Sequence, residues 1–298
     1  MALPPLYKYL NVNGAKLTLG NRTFRHAKPS DFNDIEDMMI GSIFPEETEV
    51  ALKRLSEGFG DVILKHVQDT PTCGPKIAAM IAELQAMFRA KPGAAAAVVA
   101  EVKKGALAKV LDLAAMRALS EAFVEDTNAF MQNYRVLCVS ANKNSDKMWT
   151  DYAESHKGIA LRIEPYSRED SKFQLFRPVN YQEKRPSLYD DTLGFLEESW
   201  FGDQDERIKS TLTKIIYSKT LKWKDECEYR LAIPLDEGEE PYDTLPYYPE
   251  EITEMYLGLA MDKTNKADIT GKAKAVNPDI VIFQAKRDSG NAIVFDRV

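Results

Sequence analysis

The sequence predicts an α+β fold, with a mixed or antiparallel β-rich core that carries a large helical insertion. Three observations lead there. Runs that alternate polar and apolar residues gather near both ends of the 298-residue chain, and a period of two is that of a half-buried strand. The middle is alanine-rich and helical in its spacing. Neither G-x-G-x-x-G nor G-x-x-x-x-G-K-[ST] is present, so the glycine loops of doubly wound nucleotide folds are missing.

Taken in order, residues 6–30 read as short strands, Leu6–Leu10, Lys16–Leu19 and Thr23–His26, separated by turns at Asn13-Gly14 and Gly20-Asn21. From Ser30 or Asp31, either able to cap a helix, the pattern turns helical to about Met131. Pro45, Pro71, Pro75 and Pro92 divide that block, and Ala94 to Phe123 is expected to be its longest helix, with Gly105 a weak point. Strands return at Tyr134–Ser140. A short helix is expected over Met148–His156, stopped by Gly158, then strands at Ile159–Ile163, Phe173–Phe176 and Val179–Tyr181. Helical stretches at 188–201 and 205–220 lead to a strand from Glu226. Beyond it lie a strand at 254–258, a helix near 263–274, and a closing hairpin at 280–284 and 292–295 about the turn Ser289-Gly290-Asn291. The expected domains are a core of residues 1–41 and 131–298 and a helical insertion of residues 42–130.

Composition narrows the function classes. A net charge of -7 argues against binding nucleic acid through overall charge, while a local basic groove stays compatible with it. No apolar stretch approaches the length of a membrane span, and no basic leader precedes an apolar run, so no membrane partner and a cytoplasmic location are expected. Cys73, Cys138 and Cys227 are too widely spaced for a disulfide framework or a zinc site. His26, His66 and His156 are the only histidines and none has a second ligand at metal spacing, so no metal site is expected.

The segment Lys222 to Ile233 carries the densest chemistry. As a strand it puts Glu226, Glu228 and Arg230 on one face. Paired carboxylates repel unless a cation or ligand holds them, and Arg230 is the local counter-ion. The arrangement reads either as a structural ion cluster on an exposed sheet face or as a site for a cationic or oxocarbenium-like species. On the predicted helix after Met148, residues Trp149, Tyr152, Ala153 and His156 fall at i, i+3, i+4 and i+7, giving an aromatic face with one histidine for packing, ligand contact or general acid–base work.

These pieces, in order, resemble the bacterial domain-of-unknown-function 2971 family. The matching phrases are Leu6-Tyr7-Lys8-Tyr9, then Pro29 with Phe32-Asn33-Asp34 and Glu36, then Cys138-Val139-Ser140. Met148-Trp149 with Tyr152-Ala153, His156 and Gly158 follows, and Trp223 with Glu226, Glu228 and Arg230 closes the set. Ile35 and Leu10 depart from the family's usual proline and basic residue. A Glu-x-Glu strand with aromatic residues on nearby elements of a small mixed fold is also similar to the ADP-ribosyltransferases, which act on NAD. That likeness implies NAD as a substrate rather than a bound cofactor. It gives Glu228 a ribose-facing role, Glu226 the orientation or deprotonation of an acceptor protein or nucleic acid, and Tyr7, Tyr9, Trp149 or Tyr152 the stacking on nicotinamide or adenine, while His156, from its helical face, is the further catalytic candidate. The alternative is a non-catalytic module that recognises a nucleotide, a nucleic-acid end or a partner protein through the Phe32-Asn33-Asp34 loop, His156-Lys157 and Arg230, with the helical block as a docking surface; Lys8 counts among the substrate-binding candidates. A third option is metal-dependent phosphodiester cleavage by Asp34, Glu36, Glu226 and Glu228. On the leading reading, Asn33, Asp34, Trp149, His156, Glu228 and Arg230 are expected around one pocket.

Overall fold

The computed structural model describes residues 3–68, 71–105, 112–166, 170–235 and 243–298. The chain opens with β1 (Leu6–Leu10), α1 (Val12–Asn21) and β2 (Thr23–His26), then runs through α2 (Thr48–His66), α3 (Pro75–Ala90), α4 (Ala95–Lys103) and α5 (Leu113–Met131). There follow β3 (Tyr134–Ser140), α6 (Asp146–Asp151), β4 (Ile159–Ile163), β5 (Arg177–Pro178), β6 (Asn180–Gln182), α7 (Thr192–Phe201) and α8 (Gln204–Ile216). The last part holds β7 (Ser218–Thr220), β8 (Glu228–Pro234), β9 (Asp243–Pro246), β10 (Ile252–Leu257), α9 (Lys263–Val276), β11 (Val281–Arg287) and β12 (Ile293–Arg297). This is an α+β fold.

The chain forms two compact units. The first comprises residues 1–38, 131–183 and 217–298, and the second residues 39–130 and 184–216. Residues 184–216, placed with the core in the sequence reading, therefore group with the helical block.

In the first unit, eight of the described strands form one mixed sheet in the order β12-β11-β10-β4-β1-β3-β8-β5. Its parallel pair, β10 and β11, is joined by α9, the helical crossover that parallel neighbours require. Period-two alternation sorts the side chains. Leu6, Leu137, Val139, Leu161 and Leu231 face one side, where they bury against Ala15 and Leu19 of α1 and Ile269 and Ala273 of α9. Tyr7, Tyr9 and Tyr256 face the other side and enclose Trp149. Each fully buried aliphatic side chain contributes roughly 1.5–3 kcal/mol, so the alternation holds the register against a one-residue slip. Gly158 is required where β4 begins, since a Cβ there would lie 2.0 Å from the Leu10 carbonyl oxygen.

Several expectations need correction. Lys16–Leu19 is not a strand but part of α1. Asn11 caps that helix by accepting from the Gly14 amide at 2.7 Å, and Ala15, Thr18 and Leu19 bury at helical spacing. Phe173–Phe176 is a single-turn 3-10 helix over Lys172–Leu175 with its following residue, because Ser171 caps it. The long helix expected from Ala94 to Phe123 ends at Lys103, with Gly105 at φ 90°, and Leu113–Met131 is a separate helix. The closing hairpin forms as expected, with Arg287 opposite Ile293.

The second unit is helical. Its core is the inward stripe of α2, Ala51, Leu52, Leu55, Phe59, Val62 and Ile63, packed with α3, α4 and α7. His66 ends α2 stacked on Phe201, with Nε2 2.8 Å from Glu197.

Candidate functional site

The site begins with an interruption in the sheet. β1 pairs with β4 at five positions but, among the described residues, meets β3 at a single rung, Tyr7 opposite Ser140. Past that rung the strands part, and β3 bonds instead to the end of the β2 segment through reciprocal Ala27 and Val136 bonds of 2.9 Å. Lys8 reaches across the gap and donates to the Cys138 carbonyl at 2.9 Å, satisfying an acceptor that faces no strand partner there. A cavity of about 520 Å³ occupies the fork. Residues from both faces of the sheet line it: Gly14, Leu17 and Thr18 of α1 from one side, and Met148 and Tyr152 from the other.

One wall is a buried charge cluster. Lys219 Nζ stands 2.5 Å from Glu226 Oε2, 3.0 Å from Glu228 Oε2 and 3.5 Å from Asp37 Oδ2. Arg230 donates through Nε and Nη2 to the two oxygens of Glu228, at 2.8 and 3.0 Å, and through Nη2 to Asp37 at 2.6 Å. Tyr152 donates its hydroxyl to Glu226 Oε1 at 2.6 Å, and the Glu228 amide donates to Tyr181 at 2.8 Å. Arg230 is wholly buried, and Glu226 and Glu228 are 2% and 5% exposed, so the expected exposed sheet face is instead an interior network.

The two glutamates do not share a strand face in the way the alternation suggested. Glu226 ends a 3-10 helix over Leu221–Glu226, Cys227 is left-handed at φ 45°, and β8 begins only at Glu228. The turn is pinned by β3, where Ser140 Oγ donates to the Glu226 carbonyl at 2.6 Å and the Ala141 amide donates to the Cys227 carbonyl at 2.9 Å. The left-handed residue swings the Glu226 side chain round onto Lys219.

Burial and charge pull the titrating groups apart. Burial pushes Glu226 above the usual carboxylate range, with the attraction of Lys219 only partly offsetting it. Burial acts the same way on Glu228, but Arg230 and Lys219 outweigh it and bring Glu228 down to about 2. Burial would lower Lys219, yet Glu228, Asp37 and Glu226 together hold it above its ordinary value. Lys8, enclosed and with weaker partners, is lowered by burial. Burial pushes the Cys138 thiol well up, with Glu228 adding to it, so it is a protonated group. One carboxylate is thus firmly ionised and its neighbour is the better proton acceptor.

Nine of the residues singled out in the sequence line this cavity: Tyr7, Lys8 and Tyr9 of β1, Phe32, Asn33 and Asp34 of the segment after β2, and Tyr152, Glu226 and Glu228. Three do not. Trp149 is fully buried in the aromatic layer, its indole N–H donating to the Lys143 carbonyl at 2.8 Å. Arg230 lies behind Glu228, with its guanidinium 5.8 Å from the Phe32 ring centre. His156 sits with Nε2 3.5 Å from Asp146. The helical face that joined it to Tyr152 does not exist, because α6 ends at Asp151 and Glu154, Ser155 and His156 are all left-handed. Sequence reasoning missed Asp37 and Lys219. Lys219 lies seven residues before Glu226 on a three-residue strand, and neither period nor motif marks it. Of the four carboxylates considered for metal-dependent cleavage, Asp34 pairs with Lys222 at 3.3 Å and both glutamates pair with Lys219. Glu36 is not among the lining residues.

Among the described residues, no helix is long and apolar enough to cross a membrane. No curated protein and no solved structure matches the chain. A family model, described as "Protein of unknown function (DUF2971)", matches residues 148–231, the span that supplies Tyr152, Lys219, Glu226, Glu228 and Arg230 to the cluster. Over that span, which builds one wall of the fork, the chain is similar to the DUF2971 family.

Proposed function

We propose that the fork cavity takes the pyridinium–ribose end of NAD and that the protein acts on it as an ADP-ribosyltransferase-like enzyme. The observation that supports this most is the pair Glu226 and Glu228 in one wall of a cavity rimmed by Tyr7, Tyr9, Phe32 and Tyr152. The volume is that of a small-molecule site. Its lining holds five acids, Asp31, Asp34, Asp37, Glu226 and Glu228, against the three bases Lys8, Arg25 and Lys219. Arg230 and Lys222, outside the lining, pair with Glu228, Asp37 and Asp34, so the wall is close to neutral overall and its aromatic rim is what suits a cationic ring. When the bond from nicotinamide to ribose breaks, its electron pair leaves with the nicotinamide and positive charge moves onto the sugar. A fixed carboxylate beside that carbon lowers the barrier. Glu226, held by Tyr152 and Lys219 but not clamped by a guanidinium as Glu228 is, is assigned this task, and as the better proton acceptor it can also take the acceptor's proton. Glu228, held by Arg230, positions Lys219. This gives Glu226 both of the roles that the resemblance divides between the two glutamates.

A second reading is favoured by one specific observation: both oxygens of Glu228 are already held by Arg230 and Lys219, which is the condition of a structural pair. On it, the cavity only recognises its nucleotide. Calorimetry with NAD, alongside mass spectrometry of nicotinamide release with and without cell lysate as acceptor, separates the two. The enzyme reading expects binding and release in the native chain, with binding but no release in Glu226→Gln. Binding without release in either protein supports recognition alone, and no binding overturns both.

A further inference from the structure

The interior of the fork is rich in carboxylates, but its edge has the opposite character. Three ammonium groups converge on the ring of Trp223: Lys219 Nζ at 4.9 Å from the ring centre, Lys147 Nζ at 5.0 Å and Lys222 Nζ at 5.5 Å. Each ties the indole to the cavity. Lys219 lines it, Lys222 pairs with the lining residue Asp34, and Lys147 precedes the lining residue Met148 on α6. Lys219 is committed to the buried carboxylates. Lys147 and Lys222, by contrast, have side chains 37% and 57% exposed, and their partners are single carboxylates, Asp151 at 2.5 Å and Asp34 at 3.3 Å. The Lys147–Asp151 pair is open to solvent on both sides and contributes little, while Lys222, although its partner Asp34 is buried, has the more exposed side chain of the two lysines, so both are within reach of a more highly charged anion. The indole between them is half-buried, and a planar base can stack on it where Lys147 or Lys222 turns aside.

We infer that Trp223, Lys147 and Lys222 form a second subsite at the edge of the fork, for the diphosphate and second base of a dinucleotide. This rests on reading the interior as the pyridinium end's site. The argument is one of matched polarity. A pyridinium dinucleotide carries a cationic ring at one end, two phosphates in the middle and a neutral aromatic base at the other end. The fork carries carboxylates inside, lysines at its edge and an aromatic plate beside them. A mononucleoside of the same ring would use only the interior.

Calorimetry on the full chain tests this with three probes: NAD, nicotinamide riboside and ADP. The native protein is expected to bind NAD at least about tenfold tighter than nicotinamide riboside, and to bind ADP with an affinity that falls as salt rises. Trp223→Ala and the double variant Lys147→Gln/Lys222→Gln should bring NAD down to the affinity of the riboside, remove ADP binding and leave the riboside unchanged. Trp223→Phe should retain most of the ADP affinity. Thermal melting followed by circular dichroism confirms that each variant folds, and the lysine pair, being exposed, keeps the test available if Trp223→Ala does not. ADP binding that these variants abolish, with no riboside binding, would uphold the edge subsite and remove the reading of the interior. Failure of native protein to bind ADP, or variants that weaken the riboside as much as NAD, would overturn the edge subsite.

Discussion

The carboxylates of Glu226 and Glu228 meet on one ammonium group, 2.5 and 3.0 Å from it, although the residue between them is left-handed and breaks the strand. Lys219 therefore neutralises two acids directly and a third, Asp37, at 3.5 Å. Removing it leaves charge buried without compensation. Lys219→Met is expected to cost about 3–5 kcal/mol in urea unfolding, the usual consequence of deleting one partner of a buried ion pair. Adding Glu226→Gln to that variant should recover part of the loss, because it removes one of the charges left stranded.

Acid should weaken the fold through Glu228. Its folded pKa, about 2, lies below its ordinary 4.5, so the stability it contributes is complete above about pH 5 and is lost as pH falls towards 2. The amount is on the order of 3 kcal/mol, from the size of that depression. Glu226 works in the other sense. Its folded value is raised, so it opposes folding at neutral pH and that opposition is relieved as it takes up a proton. Unfolding free energies measured from pH 7 to pH 3 should thus fall less steeply in Glu228→Gln than in the native chain, and more steeply in Glu226→Gln.

Tyr152 reports on the proton affinity of its neighbour. Its hydroxyl donates to Glu226 and helps hold that carboxylate down against burial. Tyr152→Phe should raise the Glu226 pKa further, a shift readable by carboxylate titration in NMR. A stability loss of about 1.5–3 kcal/mol, that of a hydrogen bond to a charged group, should accompany it.

Gly158 is a steric requirement of the sheet. A methyl group there meets the Leu10 carbonyl oxygen and the Ala153 backbone, neither of which can give way without moving β1 or the end of the α6 turn. Gly158→Ala should cost about 3 kcal/mol or more, read as a lowered melting temperature. Gly271→Ala, inside α9 with nothing within 4 Å of the new carbon, is the control, and should raise stability by about 0.5–1 kcal/mol.

The parts of this architecture that obey a simple period were legible in the sequence. β1, β3, β4 and β8 show alternation, and the β11–β12 hairpin shows its turn residues. The α1 helix was not legible because Asn13, Gly14 and Gly20 read as turn punctuation, whereas Asn11 uses its side chain to start a helix there. The face joining Tyr152 to His156 was misread for the converse reason. The pattern is helical on paper, but three successive left-handed residues end the helix, and no glycine among them announces it. At the site, the acids and Arg230 were found because they lie two residues apart. Lys219, on a short strand seven residues upstream, and Asp37, from a loop far away in sequence, reach the same point only through the fold.

The single rung between Tyr7 and Ser140 gives the sheet a mechanical character of its own. Five strands on one side and three on the other are stitched at one point, so each half is free to keep its own twist, and the strain of a continuous eight-strand ladder never accumulates across the seam. A molecule seated in the fork stands where the absent rungs would be. Its arrival would convert a seam into a bridge, and backbone amides of β1 and β3 beside the gap are the ones whose exchange with solvent would slow first.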